Sequence, residues 1–309
     1  MLFKIFIFVS LVLELFGASN WAQSLDIFIA DKFFQNSING NYAESSLFKD
    51  LEIFPIPTKN PEFIAPQIQA RSAIIIDRGS SKILFQKNAL AKIAPASLTK
   101  LLTALVVLDN VKLDDLVTIS KNATQQEEYK MGLLEGEEIE VRELLAGLLI
   151  RSANDAAIAL GEFVAKRRKE EFSSLLNEKA KNLELKNSHF TNPAGFDEPL
   201  CFSTAEDLAR LANFAFRNKI IADFVVRKTY NAISADGRFS HFFKNTNDLL
   251  WSPYEVVGGK TGFTEEAGEN LVVFAKDGKN EIIVLVLGSP DRFQETKALI
   301  DWTFRAYRW

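Results

Sequence analysis

The sequence predicts an α+β fold, in which strands from both ends of the chain form one antiparallel sheet and the middle of the chain forms helices. Strand-like apolar runs lie at 73–77 and 83–86, and two more flank the Asp-Gly-Lys-Asn turn at 277–280. The long stretch between these ends shows helical periodicity instead. We therefore expect the sheet to pack on helices, with an all-helical lobe beside it and a cleft where the two lobes meet.

The elements follow one another in a regular order. The first two strands form a hairpin around Gly-Ser-Ser at 79–81, and 98–111 is apolar nearly all round, as expected of a buried helix. Two segments, 137–150 and 155–183, have the mixed periodicity of helices that are half exposed to water. After the second pair of strands, 291–309 predicts an amphipathic helix that closes the chain.

The first 65 residues predict an export segment and a spacer. Residues 1–22 contain one basic residue, Lys4, followed by an apolar run and small residues, which is the layout of a secretory signal. The run is shorter than the roughly 20 apolar residues of a membrane-spanning helix, so an uncleaved N-terminal anchor is the second interpretation and a buried N-terminal element the third. Residues 23–65 hold prolines and no sustained period, which indicates a spacer before a domain at 66–309. We expect an exported protein on the periplasmic or cell-wall side of the cytoplasmic membrane.

Composition and charge exclude several classes of function. The chain of 309 residues has a formal net charge of −4 with acidic and basic residues interspersed, so neither a nucleic acid nor an anionic membrane surface is indicated as a partner. Cys201 is the only cysteine, which rules out an internal disulfide. His189 and His241 are too few and too far apart in sequence to indicate a metal site, and we expect no cofactor.

The first polar cluster is Ser97 and Lys100, at the start of the predicted buried helix. Residues three apart share a helix face, so the hydroxyl and the amine can reach each other as a nucleophile and its base do. The helix N-terminus would also favour an oxyanion formed there. An N-cap serine followed by a solvated lysine is the alternative, and Ser46 and Lys49 in the predicted spacer repeat the spacing without a buried helix behind them.

Two further polar clusters follow. Ser152 and Asn154 lie in a short loop between helices, before Asp155 as the expected N-cap, so both side chains can point at one spot; a capped connection without function is the alternative. Lys260 and Thr261 lie among glycines on what should be a strand edge, where an extended peptide can add by main-chain hydrogen bonds. They offer a cation and a hydroxyl for a carboxylate; a Gly-rich turn entering a strand is the alternative here.

Taken together, the three clusters match a known signature. Ser-x-x-Lys, Ser-Asp-Asn and Lys-Thr-Gly mark penicillin-binding proteins and class A β-lactamases, and the chain has them in this order, with Ser-Ala-Asn at 152–154. Over about residues 66–309 the chain resembles the low-molecular-mass D-alanyl-D-alanine carboxypeptidases, peptidase family S11, including the segments "NSHFTNPAGFDEP" and "GGKTGFTEEAGENLV". The resemblance implies a DD-peptidase/β-lactamase-like fold with its active site between the sheet and the helical lobe.

The resemblance also implies which residues carry the chemistry. The catalytic residues would be Ser97 as the acylated nucleophile, Lys100 as its base, and Ser152. The substrate-binding residues would be Asn154, Lys260, Thr261, Gly262 and Phe263. Lys260 and Thr261 would grip the terminal carboxylate of the substrate, and the backbone N–H groups of Ser97 and Phe263 would form the oxyanion hole.

Lys100 can act as a base only when it is neutral. Its pKa must therefore fall from about 10.4 to about 7, which is about 4 kcal/mol against the charged form. Burial beside Leu101 and Leu102, the positive helix end and a second cation at Lys260 all lower it. We expect Lys100 to be largely neutral in the free enzyme.

The implied activity is removal of the terminal D-alanine from peptidoglycan stem pentapeptides through an acyl-enzyme, with β-lactams as covalent inhibitors. The alternatives are a β-lactamase and a non-catalytic module that binds peptidoglycan or β-lactams. Glu178 with Asn182 is the only E-x-x-x-N between the second and third motifs, and it lies in a predicted helix and not in the loop that a class A β-lactamase would use.

Two features depart from this family. Cys201 takes the place of a histidine that its members commonly have two residues before the Ser-Thr of the "STA" segment. The chain ends at Trp309 without the C-terminal β-rich domain and anchor of many relatives, so membrane attachment is expected only through the N-terminus.

Overall fold

The computed structural model describes residues 55–309; the predicted export segment, most of the predicted spacer, and Ser46 and Lys49 lie outside the described residues. The strands are β1 (Thr58–Lys59), β2 (Ser72–Asp77), β3 (Ile83–Lys87), β4 (Leu116–Thr118), β5 (Glu138–Glu140), β6 (Thr229–Ile233), β7 (Ser240–Lys244), β8 (Glu255–Thr264), β9 (Gly268–Asp277), β10 (Asn280–Ser289) and β11 (Tyr307–Arg308). The helices are α1 (Thr99–Asn110), α2 (Lys121–Thr124), α3 (Val141–Ala146), α4 (Asn154–Arg168), α5 (Phe172–Asn182), α6 (Ala205–Ala215), α7 (Lys219–Val225) and α8 (Arg292–Ala306). Within residues 55–309, no helix combines the length and the apolar character needed to cross a membrane.

A five-stranded antiparallel sheet in the order β3-β2-β10-β9-β8 confirms the predicted sheet from both chain ends. Its middle strands alternate their side chains between two hydrophobic cores. In β2, Ile74 packs with the helical lobe, whereas the next residue, Ile75, packs with α8 on the other face. Because both faces are covered, β9 and β10 are nearly continuous apolar runs in the sequence.

The buried helix predicted at 98–111 is α1, which begins at Thr99 and ends at Asn110. It packs against α4, α5 and α6, and Leu101, Leu102 and Leu105 lie in the core of the helical lobe. Because other helices surround α1, the residues at its N-terminus are held in a fixed position.

The structure differs from the sequence prediction around the second polar cluster. Residues 138–140 form β5, because the neighbouring strand β4 pairs with them. The helix α3 begins only at Val141 and widens into a π-helical turn at Gly147–Arg151. Asp155 is not an N-cap: α4 begins at Asn154 after Ala153, and the Asp155 carboxylate instead accepts hydrogen bonds from the backbone N–H groups of a neighbouring loop.

The two ends of the described chain meet. β1 pairs with β11, and the indole N–H of Trp302 donates to Phe63 O at 3.3 Å. The compact unit includes residues 55–65, which the sequence assigned to the spacer before residue 66. The predicted C-terminal helix ends at Ala306 and continues as β11. Two-residue strands beside prolines carry no periodic pattern, which is why the sequence did not indicate them.

Candidate active site

Ser97 and Lys100 lie at the start of α1. A 3₁₀ turn, Ala96–Leu98, runs directly into the helix, and Lys100 Nζ lies 2.6 Å from Ser97 Oγ. Ala96 has a left-handed φ of +48°, which is strained for a residue with a Cβ. Ser97 lines a narrow crevice together with Tyr129, Ser152, Thr261, Gly262, Phe263 and Arg292. The turn thus presents the hydroxyl of Ser97 to a crevice and not to the core.

The amine of Lys100 is completely buried. It donates a hydrogen bond to Asn154 Oδ1 at 2.7 Å. Burial lowers the pKa of Lys100 to about 7, although the Asp155 carboxylate opposes this shift. The lowered pKa predicted from the sequence is confirmed, with burial as its main cause. At neutral pH a large share of Lys100 is uncharged and able to accept the Ser97 proton.

Ser152 and Asn154 form the second wall of the crevice. Ser152 follows the π-helical turn and has a left-handed φ of +62°. Asn154 is the first residue of α4; its Nδ2 donates to Glu127 O at 3.1 Å, and its backbone N–H donates to Tyr129 O at 2.7 Å. With these groups fixed, Oδ1 of Asn154 is directed at Lys100. Asn154 therefore orients the base.

β8 is the edge strand of the five-stranded sheet and supplies the third wall. Lys260 is buried in it, and its Nζ donates to Ser152 Oγ at 2.6 Å and to Thr261 O at 2.8 Å. Burial, followed by the charges of Lys100 and Arg292, lowers the pKa of Lys260 well below its usual value. Two amines in one buried space are thus both shifted toward their neutral forms.

Gly262 allows β8 to approach the nucleophile closely. A Cβ on Gly262 would lie 3.2 Å from Ser97 N and 3.3 Å from Pro95 O, tighter than ordinary contact. Phe263, the next residue, is 40% exposed and lines the same crevice. Five of the eight residues that the sequence selected line this crevice, and the other three, Lys100, Asn154 and Lys260, are linked to it by hydrogen bonds.

Comparison with known proteins agrees with this geometry. The D-alanyl-D-alanine carboxypeptidase family, peptidase family S11, matches residues 59–291. The chain belongs to this family. It is 35% identical over 248 residues to D-alanyl-D-alanine carboxypeptidase DacF of Bacillus subtilis and 38% identical over 262 residues to DacC of Escherichia coli. These alignments cover 77% and 79% of this chain, which spans 63% of the length of each relative.

Solved structures of D-alanyl-D-alanine peptidases share the fold. The Streptomyces K15 DD-transpeptidase is 32% identical with a TM-score of 0.73, over 78% of this chain and 99% of that one. The D-alanyl-D-alanine carboxypeptidase of Mycobacterium tuberculosis is 29% identical with a TM-score of 0.73, over 80% and 96%. The predicted fold class is confirmed.

Two crevice residues of this family member, Tyr129 and Arg292, were not predicted from its sequence. Arg292 is the first residue of α8; its Nη1 donates to Gly262 O at 3.0 Å, and its backbone N–H donates to Glu269 Oε2 at 3.0 Å. Its Nε is buried with no hydrogen-bond partner among residues 55–309, so a donor is left beside the crevice. The sequence does show Asp291 as an N-cap for α8, but no local pattern places that helix end against β8.

Two further residues hold the segment that precedes Ser97. Asn270 of β9 is buried, and its amide donates to Ala94 O at 3.2 Å and to Pro95 O at 3.3 Å. Gly195 has a φ of +83°, and a Cβ there would lie 1.9 Å from Ala96 O. Both residues belong to segments that carry the family resemblance, but no physical role for either was predicted.

The histidines and the cysteine have other partners. His241 Nε2 lies 2.8 Å from Glu137 Oε1, and His189 Nδ1 lies 2.9 Å from Leu200 O. Burial raises the pKa of the Cys201 thiol, which makes it a poor nucleophile. Among residues 55–309, no three His, Cys, Asp or Glu side chains are grouped as a metal site requires.

Proposed function

We propose that the protein is a serine-type D-Ala-D-Ala carboxypeptidase that removes the terminal D-alanine from peptidoglycan stem pentapeptides through an acyl-enzyme. The observation that carries the proposal is the buried amine of Lys100, with a pKa of about 7, at 2.6 Å from the Ser97 hydroxyl. A neutral amine at that distance activates a serine as a nucleophile. The names of the curated relatives support the choice of substrate.

In the acylation step, Ser97 Oγ attacks the carbonyl carbon of the penultimate D-alanine while Lys100 Nζ takes the hydroxyl proton. The backbone N–H groups of Ser97 and Phe263, on the two segments that approach at Gly262, hold the resulting oxyanion. The tetrahedral intermediate then collapses and its C–N bond breaks. The proton on Lys100 passes to the departing nitrogen, with the Ser152 hydroxyl available as a relay, and D-alanine leaves.

The terminal carboxylate is recognised by positive charge. A guanidinium is protonated at every physiological pH, whereas burial lowers the pKa of Lys260. Arg292, with its unpaired buried Nε, is therefore the permanent cation of the crevice within the described residues. Thr261 offers its hydroxyl as a second donor, and Lys260 holds its proton more strongly once the anion enters, because an opposite charge raises its pKa.

Water completes the cycle. It attacks the acyl carbon and gives a proton to Lys100, which returns that proton to Ser97 Oγ as the ester bond breaks. The same amine thus serves as base and as acid in both half-reactions. The shortened peptide leaves with a new carboxylate.

Two further statements belong to this proposal. β-Lactams acylate Ser97 as covalent inhibitors, since they present an activated carbonyl to the same hydroxyl. The protein acts outside the cytoplasm, on the periplasmic or cell-wall side of the membrane. The secretory-signal layout of residues 1–22 supports the location.

Mass spectrometry after treatment with a fluorescent penicillin tests the nucleophile. Ser97→Ala and Ser46→Ala form a matched pair, because each serine precedes a lysine by three positions. We expect the label on the wild type and on Ser46→Ala, and none on Ser97→Ala. Release of D-alanine from a peptide ending in D-Ala-D-Ala tests the activity. A protein that bound this peptide without releasing D-alanine would be a non-catalytic module, and the proposal would be rejected.

A chromogenic cephalosporin separates the proposed activity from that of a β-lactamase. Glu178 is exposed on α5, which is one continuous helix over Phe172–Asn182, as predicted. It is not among the residues that line the crevice, so it supplies no carboxylate to activate water there. We expect the acyl-enzyme to persist, and turnover of the cephalosporin at ordinary enzymatic rates would favour the β-lactamase.

A further inference from the structure

A second cavity is lined by residues that lie shortly before Lys260 and Thr261 in the sequence. It has a volume of about 430 Å³ and is lined by Thr229, Lys244, Asn245, Asp248 and Trp251; we call it the Trp251 cleft. Its walls are the hairpin β6–β7 and the 3₁₀ turn Asp248–Trp251. None of these residues takes part in the proposed acylation.

The Trp251 cleft is connected to the active site through one residue. Thr246 directly follows Asn245, and its hydroxyl shares a hydrogen bond with the hydroxyl of Thr261, which lines the active-site crevice. The backbone N–H of Thr246 also donates to Ile150 O at 3.2 Å, so this link is fixed to the helical lobe. Thr246 thus joins the segment that lines the Trp251 cleft to the wall of the active-site crevice at Thr261.

The side chains in the Trp251 cleft match the chemistry of a sugar. Trp251 is 48% exposed, and the amine of Lys228 lies 5.9 Å from its ring centroid. Thr229, Lys244 and Asp248 line the same cleft as Trp251, and their side chains carry a hydroxyl, an amine and a carboxylate. A pyranose has an apolar C–H face that stacks on an aromatic ring and a polar edge whose hydroxyls bond to such groups.

The outer face of the hairpin extends this surface. Thr229 pairs with Lys244 and Asn231 pairs with Phe242 on the same exposed face. Phe242 is 66% exposed and lies two residues from Lys244 along β7, which is about 7 Å. Two exposed rings with hydroxyl, amide and amine groups between them suit a chain of sugars better than a single sugar.

We propose that the Trp251 cleft and the outer face of β6–β7 bind the glycan strand that carries the stem peptide. This inference rests on the proposed function, which supplies a peptide attached to sugars. The lining of the cleft agrees, because it contains one aromatic and four polar side chains. An apolar peptide would need a contiguous apolar strip, and a nucleic acid would need a basic track; Lys228 and Lys244 beside Asp248 provide neither.

The test compares two substrates: a free pentapeptide ending in D-Ala-D-Ala, and the same peptide linked to a disaccharide of N-acetylated hexosamines. We expect wild-type kcat/KM to be about tenfold higher for the linked peptide, because binding remote from the reacting bond stabilises the transition state. Trp251→Ala should remove this difference and leave the free peptide unchanged. Trp251→Phe keeps an aromatic ring and should keep most of the difference.

Phe214 provides the matched control. It is 46% exposed on α6, and the amine of Lys179 lies 5.4 Å from its ring centroid, but it does not line the Trp251 cleft. Phe214→Ala should leave kcat/KM unchanged for both substrates. Equal wild-type values for the two substrates, or an equal loss on both in Trp251→Ala, would overturn the proposal.

Failure of the proposed function would be seen separately, as no release of D-alanine from either substrate. The cleft is then tested by titrating the full chain carrying Ser97→Ala with the disaccharide alone and following the indole N–H signals by NMR. We expect the signal of Trp251 to shift, and we expect the affinity, measured by isothermal titration calorimetry, to fall by about fivefold or more when Trp251→Ala is added. The absence of any shift would refute binding of sugar at the cleft.

Discussion

The buried amine of Lys100 makes acylation dependent on pH. Ser97 gives its proton only to neutral Lys100, whose pKa burial lowers to about 7. The rate constant for acylation by a fluorescent penicillin should therefore rise about tenfold for each pH unit below 7 and become constant above it. Time courses of labelling from about pH 5 to about pH 9 measure this. A rate that kept rising toward 10.5, the ordinary pKa of lysine, would show that Lys100 is charged at neutral pH.

Arg292 should control affinity for the free carboxylate of the substrate. Because a hydrogen bond to a charged group contributes about 1.5–3 kcal/mol, Arg292→Ala should raise KM by about 10- to 100-fold, with a smaller effect on kcat. Arg292→Lys keeps the charge and should recover part of the loss. The measurement is D-alanine release at varied peptide concentration. A peptide with a C-terminal amide is the control: if Arg292→Ala lowers its kcat/KM equally, Arg292 only positions β8.

Among the individual residues of the active site, those that occur in short sequence motifs were predicted from the sequence. Ser97 and Lys100 are one helical turn apart, so their contact depends on local geometry alone. Arg292 was missed because its contact with Gly262 spans 30 positions and depends on how α8 follows β10. The cause of the lowered pKa at Lys100 was predicted in part. Burial is the main cause, as expected, but the opposing charge of Asp155 was not predicted, because the sequence indicates an N-cap at that position.

The loop that contains Gly195 packs tightly against the 3₁₀ turn Ala96–Leu98, which includes Ser97. Gly195 has a φ of +83°, and a Cβ on this residue would lie 1.9 Å from Ala96 O. Gly195→Ala should therefore lower the free energy of unfolding by roughly 2–4 kcal/mol and slow acylation, since Ala96 must move. Urea unfolding and penicillin labelling measure the two effects.

Gly237 offers a control for the backbone conformation alone. Its φ is +72°, and a Cβ there would have nothing within 4 Å. Gly237→Ala should cost about 1–2 kcal/mol from strain and leave labelling unchanged. Similar effects of the two substitutions would show that the contact with Ala96 does not matter.

Among the elements, sequence periodicity predicted those that are long and face a core. The strands β9 and β10 and the helix α1 are of this kind. The strand β5 has three residues, and β1 and β11 have two each, so they are too short to show a period and form only because a partner strand is present. The conformation of Ser152 was also not predicted, because a left-handed residue after a π-helical turn has no sequence signature.

The pairing of β1 with β11 contributes to the stability of the whole domain. A chain shortened to begin at residue 66 loses β1 and the hydrogen bond from Trp302 to Phe63. Compared with a chain that begins at residue 55, its free energy of unfolding should be lower by about 1–3 kcal/mol, with the same labelling of Ser97 in the folded fraction. Urea unfolding of the two chains measures the difference. Coincident curves would mean that residues 55–65 are a spacer, as the sequence suggested.

β8 is the edge strand of the sheet and lies beside the active-site crevice. This position determines which parts of a bound peptide the protein can distinguish. An open strand edge contacts only amide N–H and C=O groups, which every peptide shares, so the edge is tolerant of variation in side chains. Under the proposed function, this edge therefore accepts stem peptides of differing composition, and it is equally open to any small molecule that imitates an amide next to a carboxylate.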